Sequence, residues 1–158
     1  MLTVGARAPG FSLASDGGST VALKDLKGRR VVLYFYPKDD TSGCTTEACE
    51  FRDRWKEVER LGVVVLGVSP DPLASHLKFK QKYRLPFPLL SDPDHAVADA
   101  YGAWGPKSMY GRTYEGIRRS TFLIGEDGKI LRIFRNVKPK GHAAEVLEAL
   151  EAEPGSSP

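Results

Sequence analysis

Two short runs of β-branched and aromatic residues, separated by one helical stripe, constrain this chain most. Residues 31–36 read Val-Val-Leu-Tyr-Phe-Tyr and residues 63–68 read Val-Val-Val-Leu-Gly-Val. Neither run alternates polar with apolar residues, so each suits a strand buried on both faces, as in the middle of a parallel sheet. Pro37 closes the first run, because proline has no N–H to give a central ladder. Between the runs, Cys44, Ala48, Phe51, Trp55, Val58 and Leu61 follow one another at steps of four and three. That spacing lines them along one face of a single helix, and Gly62 stands where its C-cap is expected. Strand, helix, strand is the crossover that parallel strands require.

The remaining chain extends this unit on both sides. Residues 11–14 and 20–23 flank Asp16-Gly17-Gly18 and predict an N-terminal β-hairpin. Residues 72–83 have helical period, 87–90 read as a short strand, and 93–101 as a helix opened by Asp92. Residues 102–116, rich in Gly, Tyr and Lys, read as a long surface loop. A hairpin over 121–124 and 130–134 turns at Glu126-Asp127-Gly128, and a helix over 141–152 follows. Pattern alone supports an α/β class with a central mixed β-sheet flanked by helices. A parallel core finished by an antiparallel hairpin and a helix is similar to the thioredoxin-like fold. At 158 residues the length fits one domain, expected over 1–152, with a flexible tail over 153–158.

Several function classes are disfavoured. The net charge is only +3, and the densest basic stretch, Lys78, Lys80, Lys82 and Arg84, is interleaved with Phe79 and Tyr83. It reads as the wet face of an amphipathic helix, not a nucleic-acid footprint. Two cysteines make neither a disulfide framework nor a four-cysteine zinc site. His76, His95 and His142 share no ligand spacing with them and read as surface or helix-end residues. No window has the length and apolarity of a membrane span, and the first residues carry no signal pattern. A cytoplasmic protein is expected, where thiols are kept reduced, so a disulfide there would be transient and catalytic.

Cys44 follows a buried strand and a loop, at the first turn of the expected helix. Ligand sites in open α/β sheets lie beyond the carboxyl ends of the strands. A thiolate there meets unpaired N–H groups and the positive end of the helix. A helix end alone seldom suffices to hold a thiolate, so a nearby cation is required. Position at the helix start outweighs the alternative, that Cys44 is a small buried hydrophobe on the apolar stripe. Cys49 lies five residues on, about 140° around and about 7.5 Å along an ideal helix. A disulfide needs α-carbons within about 7 Å and facing β-carbons, so the two thiols can join only if the first turns unwind. Thr41, three residues before Cys44, can bond a thiolate and an incoming hydroxyl oxygen, or serve as a plain N-cap. Pro37 can wall the thiol from solvent or simply end the strand. Asp39 and Asp40 read as a solvated loop, and Glu47, one turn after Cys44, can orient a cation.

The stretch Pro37-Lys38-Asp39-Asp40-Thr41-Ser42-Gly43-Cys44 resembles the peroxiredoxin signature P-x-x-x-T-x-x-C. With Thr45-Thr46-Glu47-Ala48-Cys49 it is similar to the peroxiredoxin Q (bacterioferritin comigratory protein) branch, an atypical two-cysteine group. The likeness extends over nearly the whole chain, through Gly5-Ala6-Arg7-Ala8-Pro9, Tyr101-Gly102-Ala103-Trp104-Gly105 and Arg119-Ser120-Thr121-Phe122-Leu123-Ile124. Gly10 departs from it, where the branch often has an acidic residue. The resemblance implies that Cys44 is the peroxidatic cysteine and Cys49 its resolving partner. It also supplies the missing cation, as Arg119, although strand alternation by itself does not choose between Arg118 and Arg119.

The implied chemistry is thiol-dependent peroxidase action on hydrogen peroxide and organic hydroperoxides. Cys44, Thr41, Arg119 and Pro37 form the site, and Cys49 closes an intramolecular disulfide. Thioredoxin or a similar dithiol is the implied reductant, the chain is expected to act as a monomer, and no metal or organic cofactor is called for. A general thiol–disulfide oxidoreductase is the rival enzyme, distinguished by whether peroxide is consumed at catalytic rates. A binding module with idle cysteines is the non-enzymatic rival, and would keep its function without Cys44.

Overall fold

The computed structural model describes residues 2–153, so residues 154–158 of the expected tail lie outside the described residues. Its strands are β1 (Ser12–Ala14), β2 (Thr20–Ala22), β3 (Val31–Phe35), β4 (Val64–Ser69), β5 (Leu89–Ser91), β6 (Trp104–Met109), β7 (Arg112–Ile117), β8 (Ser120–Ile124) and β9 (Ile130–Arg135). The helices are α1 (Ser42–Asp53), α2 (Trp55–Leu61), α3 (Leu73–Tyr83), α4 (Ala96–Ala100) and α5 (His142–Ala152). Five strands form the central sheet in the order β5-β4-β3-β8-β9. β3, β4 and β5 run parallel, while β8 and β9 are antiparallel to their neighbours. The sheet is therefore mixed, with the two predicted apolar runs paired at its centre.

Strand alternation sorts the core into two layers. Val32, Tyr34 and Tyr36 face a cluster with Cys44, Ala48, Phe51, Val58, Phe79, Phe87 and the α5 residues Val146 and Leu150. Val31, Leu33 and Phe35 face the other side, with Leu66, Val68, Leu90, Tyr101, Phe122 and Ile130. All five β3 residues are buried. This is why the strand reads as continuous and not alternating. The β1–β2 pair forms the expected N-terminal hairpin as a separate two-stranded sheet.

The expected single helix over 44–61 is two helices. Arg54, at φ −105° and ψ 20°, separates α1 from α2, while the apolar stripe continues across the break. Gly62 closes α2 in the left-handed region, at φ 68°, as its C-cap position predicts. The expected helix over 93–101 shrinks to α4, whose Val97 and Ala98 N–H groups are received by the Asp92 carboxylate. A short 3-10 helix, Leu23–Leu26, occupies part of the polar connection after β2.

The expected loop over 102–116 is instead a hairpin. β6 and β7 pair antiparallel from Trp104↔Ile117 to Met109↔Arg112. Tyr110 (φ 52°) and Gly111 (φ 78°) form the two-residue turn, and positive φ at both positions suits the right-handed twist of the strands. Tyr-Gly lacks the Asn-Gly or Asp-Gly signal of such a turn. Gly105, Pro106 and Gly116 also weaken the strand pattern on both sides.

Candidate active site

β3 ends at Phe35, and residues 36–41 carry the chain from the carboxyl edge of the sheet into α1. Thr41 is the N-cap residue in extended conformation, though its side chain makes no cap bond. Its hydroxyl donates to the Lys38 carbonyl at 2.9 Å, leaving Oγ1 able to accept a further proton. Cys44 sits in the first turn of α1, 1% exposed, with its thiol free. Pro37, half buried, ends the strand just before this loop.

A cation reaches the Cys44 thiol from the residue before β8. Arg119 donates from Nη2 to Cys44 Sγ at 3.2 Å and from Nη1 to Glu47 Oε1 at 2.6 Å. β8 alternation places Arg119 with Thr121 and Leu123, on the face that packs against α1 and α5. Arg118 faces the other way, half buried against Gly105 and the Gly102 carbonyl. Register therefore decides the choice that the bare sequence leaves open. Glu47 is fully buried, and its second carboxylate oxygen has no hydrogen-bond partner among the described residues. Burial pushes its carboxyl up to about 7 while Arg119 pulls against the rise. Held between Glu47 and Cys44, the guanidinium is fixed in plane, as a bidentate donor should be.

A glycine keeps that approach open. A β-carbon at Gly43 would stand 3.2 Å from Arg119 Nη2 and 3.1 Å from Pro139 Cγ, so any side chain there crowds the guanidinium. Lys107 of β6 lies within electrostatic reach of both Arg119 and Cys44. Burial and the Arg119 charge lower its pKa, and the Cys44 charge opposes that. Lys107 was invisible in the sequence, because the hairpin carrying it read as a loop.

Cys49 also lies on α1, partly buried and free. Both thiols thus belong to one intact helix, the arrangement in which their spacing forbids a bond. Burial pushes the Cys49 thiol up, with Arg52 drawing it partly back.

Two sequence expectations about polar residues are corrected here. Asp39 is not part of a solvated loop: it is 7% exposed and accepts hydrogen bonds from Tyr36, Ser75 and His76. His76 is not a surface residue but fully buried within α3. Mutual pairing removes the cost that usually keeps such groups at the surface. Asp40 is exposed as expected and pairs with Lys82, while Lys80 pairs with Asp16. His142 begins α5 as a helix-end residue but is buried, its Nε2 2.7 Å from Thr121 Oγ1. His95 is half buried, stacked on Trp104 at 3.7 Å. Asp39, Asp71 and His76 bring three possible ligand atoms within 4.8 Å of one another. Hydrogen bonds within the protein already account for that cluster.

A buried thiol paired with a guanidinium thus lies at a helix start, beyond the carboxyl end of a parallel strand. The model of the AhpC/TSA family matches residues 4–133. The chain is a peroxiredoxin of the AhpC/TSA family. Putative peroxiredoxin bcp of Coxiella burnetii is 53% identical over 149 residues, covering 94% of this chain and 99% of that one. Peroxiredoxin Bcp of Bacillus subtilis is 49% identical over 150 residues, covering 95% of this chain and 96% of that one. Among solved structures, a cysteine-to-serine variant of PrxQ from Xylella fastidiosa superimposes with a TM-score of 0.91 at 39% identity, covering 97% and 98% of the two chains. The bacterioferritin comigratory protein of Xanthomonas campestris, described for alkyl peroxide reduction, gives 0.87 at 42% identity, covering 91% and 92%. The fold of this peroxiredoxin is thus the thioredoxin-like fold, and its activity that of a thiol-dependent peroxidase. No helix among the described residues is long and apolar enough to cross a membrane.

Proposed function

We propose that this peroxiredoxin reduces hydrogen peroxide and organic hydroperoxides through Cys44, is resolved by Cys49, and is recycled by thioredoxin or a similar dithiol. The observation that carries the reading is the Arg119 guanidinium, 3.2 Å from Cys44 Sγ and anchored by Glu47. The Cys44 thiolate attacks the terminal oxygen of ROOH, the O–O bond breaks, and RO⁻ leaves and is protonated to ROH. Thr41 Oγ1 accepts a hydrogen bond from the hydroxyl of the incoming peroxide, which aligns its oxygens. Arg119 stabilises the charge that grows on the departing oxygen. Cys44 becomes a sulfenic acid. The first turns of α1 then unwind, the Cys49 sulfur attacks that of Cys44, and hydroxide leaves as water with the Cys49 proton. An external dithiol reduces the disulfide, and α1 reforms. The protein acts as a single thioredoxin-like domain over residues 1–152, as a monomer in the cytoplasm.

A Cys49→Ser enzyme separates the two cysteines. It consumes about one equivalent of peroxide per site and then stalls with thioredoxin as reductant. A small thiol that reaches the sulfenic acid directly restores turnover. Full thioredoxin-coupled turnover of the variant would remove Cys49 from the mechanism.

A further inference from the structure

Asp39 is the hub of a buried network on the chain just before α1. Its Oδ1 accepts from Tyr36 Oη at 2.6 Å, and its Oδ2 lies 2.8 Å from Ser75 Oγ and 2.7 Å from His76 Nδ1. Its backbone N–H donates to Asp71 Oδ2 at 2.8 Å, which in turn accepts from Ser69 Oγ at 2.7 Å. His76 Nε2 lies 2.9 Å from the Leu90 carbonyl, so both ring nitrogens face oxygens of the network. Burial alone draws the imidazole pKa down. The hydrogen bond and charge of Asp39, the Leu90 carbonyl and the Asp71 charge together hold it above the ordinary value. One residue of the loop is thereby tied to Tyr36 at its start, to the chain after β4 and to α3, and through His76 to β5.

The other side of the two cysteines is tied as firmly. Glu50 accepts the Gly141 N–H at the start of α5, at 2.9 and 3.2 Å from its two oxygens. Phe51 is fully buried, stacked on Tyr34 with centroids 5.4 Å apart. Between these ties lie residues 40–49, carrying Thr41, Cys44 and Cys49. Thr41 and Ser42 are exposed, and the Thr41 hydroxyl bonds only within the loop. Four residues separate Asp39 from Cys44, a five-step tether that reaches up to about 17 Å when extended. The two cysteines need close only about 7.5 Å of helical rise. Cys44 can reach Cys49 without Asp39 moving.

We propose that Asp39 and His76 are positioning residues that hold Thr41 in register with Cys44 and mark where the unwinding of α1 stops, Glu50 and Phe51 marking its other end. The second half of this statement rests on resolution by Cys49. The anchor acts in opposite directions on the two steps. Holding the loop folded favours attack on peroxide, which needs Thr41 aligned, and opposes disulfide formation, which needs α1 open.

The test uses rapid mixing to follow Cys44 oxidation and the disulfide step separately in wild type, Asp39→Asn and His76→Gln, with hydrogen exchange on each protein. Ser75→Ala, which removes one bond to Asp39 from a partly exposed position, is the milder companion should either variant fail to fold. The expected result is a fall in the second-order peroxide rate on the order of tenfold, since a small misplacement of an aligning group is costly. The disulfide step becomes several-fold faster. Exchange rises in residues 40–49 of the reduced variants but not in the rest of the sheet, as general destabilisation would require. In oxidised wild type, protection is lost over 40–53, because the N–H groups of 50–53 bond carbonyls of the unwound residues 46–49, and is kept at 39 and from 54 onward. Unchanged or jointly lowered rates, or loss of protection running back through Asp39 in oxidised wild type, overturn the proposal. If wild type forms no Cys44–Cys49 bond, the resolving role fails instead. Exchange over 40–49 in the reduced variants then decides the anchor alone: raised supports it, unchanged overturns it.

Discussion

A Cys44→Ser enzyme consumes peroxide at no more than the uncatalysed rate, a loss on the order of 10⁶-fold as for removal of other enzymic nucleophiles. A serine hydroxyl has nearly the shape of the thiol but is a weak nucleophile without an adjacent base. The group within hydrogen-bond distance of Cys44 Sγ is a guanidinium, which holds an anion and takes no proton, and the carboxyl beside it is already engaged by that guanidinium. Cys44 is 1% exposed and packed among Ala48, Phe51 and Tyr34, so replacement by serine leaves the fold intact. Circular dichroism and the melting temperature verify this while a coupled peroxide assay reads activity. Residual turnover at a substantial fraction of wild type would move the chemistry to another residue, and would revive the rival reading as a binding module.

Arg119→Met lowers kcat/KM for peroxide by about 10²–10³-fold, the usual effect of losing one preorganised donor to a developing charge. Arg119 lies 3.2 Å from the Cys44 sulfur and, in the proposed mechanism, stabilises the charge on the leaving oxygen, so the loss is expected on the chemical step. The variant also leaves the buried Glu47 carboxyl without its partner. With a pKa already raised to about 7, that carboxyl takes up a proton and does not remain an isolated charge. The stability penalty is therefore about 1–3 kcal/mol, the range for an unsatisfied buried polar group. Arg119→Met combined with Glu47→Gln recovers part of that stability and none of the activity. Arg119→Lys keeps the charge but not the fork, and falls between the two, because one ammonium does not span both Glu47 and Cys44 in the same geometry. Initial rates and urea unfolding on the four proteins separate the effects. Equal activity in wild type and Arg119→Met would remove the guanidinium from catalysis.

Much of the fold was legible because its signals are local. The buried runs in β3 and β4, the stripe through α1 and α2 and the glycine at the α2 C-cap each follow from a few neighbouring residues. The break at Arg54 was not legible, since the stripe keeps its phase across a single non-helical residue. The β6–β7 hairpin was hidden by a Tyr-Gly turn and by glycines and a proline within its strands.

The site divides along the same line. Cys44 and Cys49 announce themselves through position and spacing, and Thr41 and Glu47 through their distance from Cys44 along one helix. Arg119 is seventy-five residues away from Cys44, and only the register of β8 against β3 distinguishes it from Arg118. Lys107 depends on the hidden hairpin. Asp39 and His76 were misread for a different reason: each alone belongs in water, and only their meeting across thirty-seven residues makes burial tolerable. Long-range polar pairing is what a single sequence shows least.

The central claim is that Cys44 and Cys49 lie on one intact helix yet become a bonded pair during the cycle. Intact-mass analysis with peptide mapping, after one equivalent of peroxide and before any reductant, tests it most directly. The account predicts the loss of two hydrogen atoms from the protein and a single cross-linked peptide joining Cys44 to Cys49. A stable gain of one oxygen at Cys44, with Cys49 still a free thiol, would contradict it.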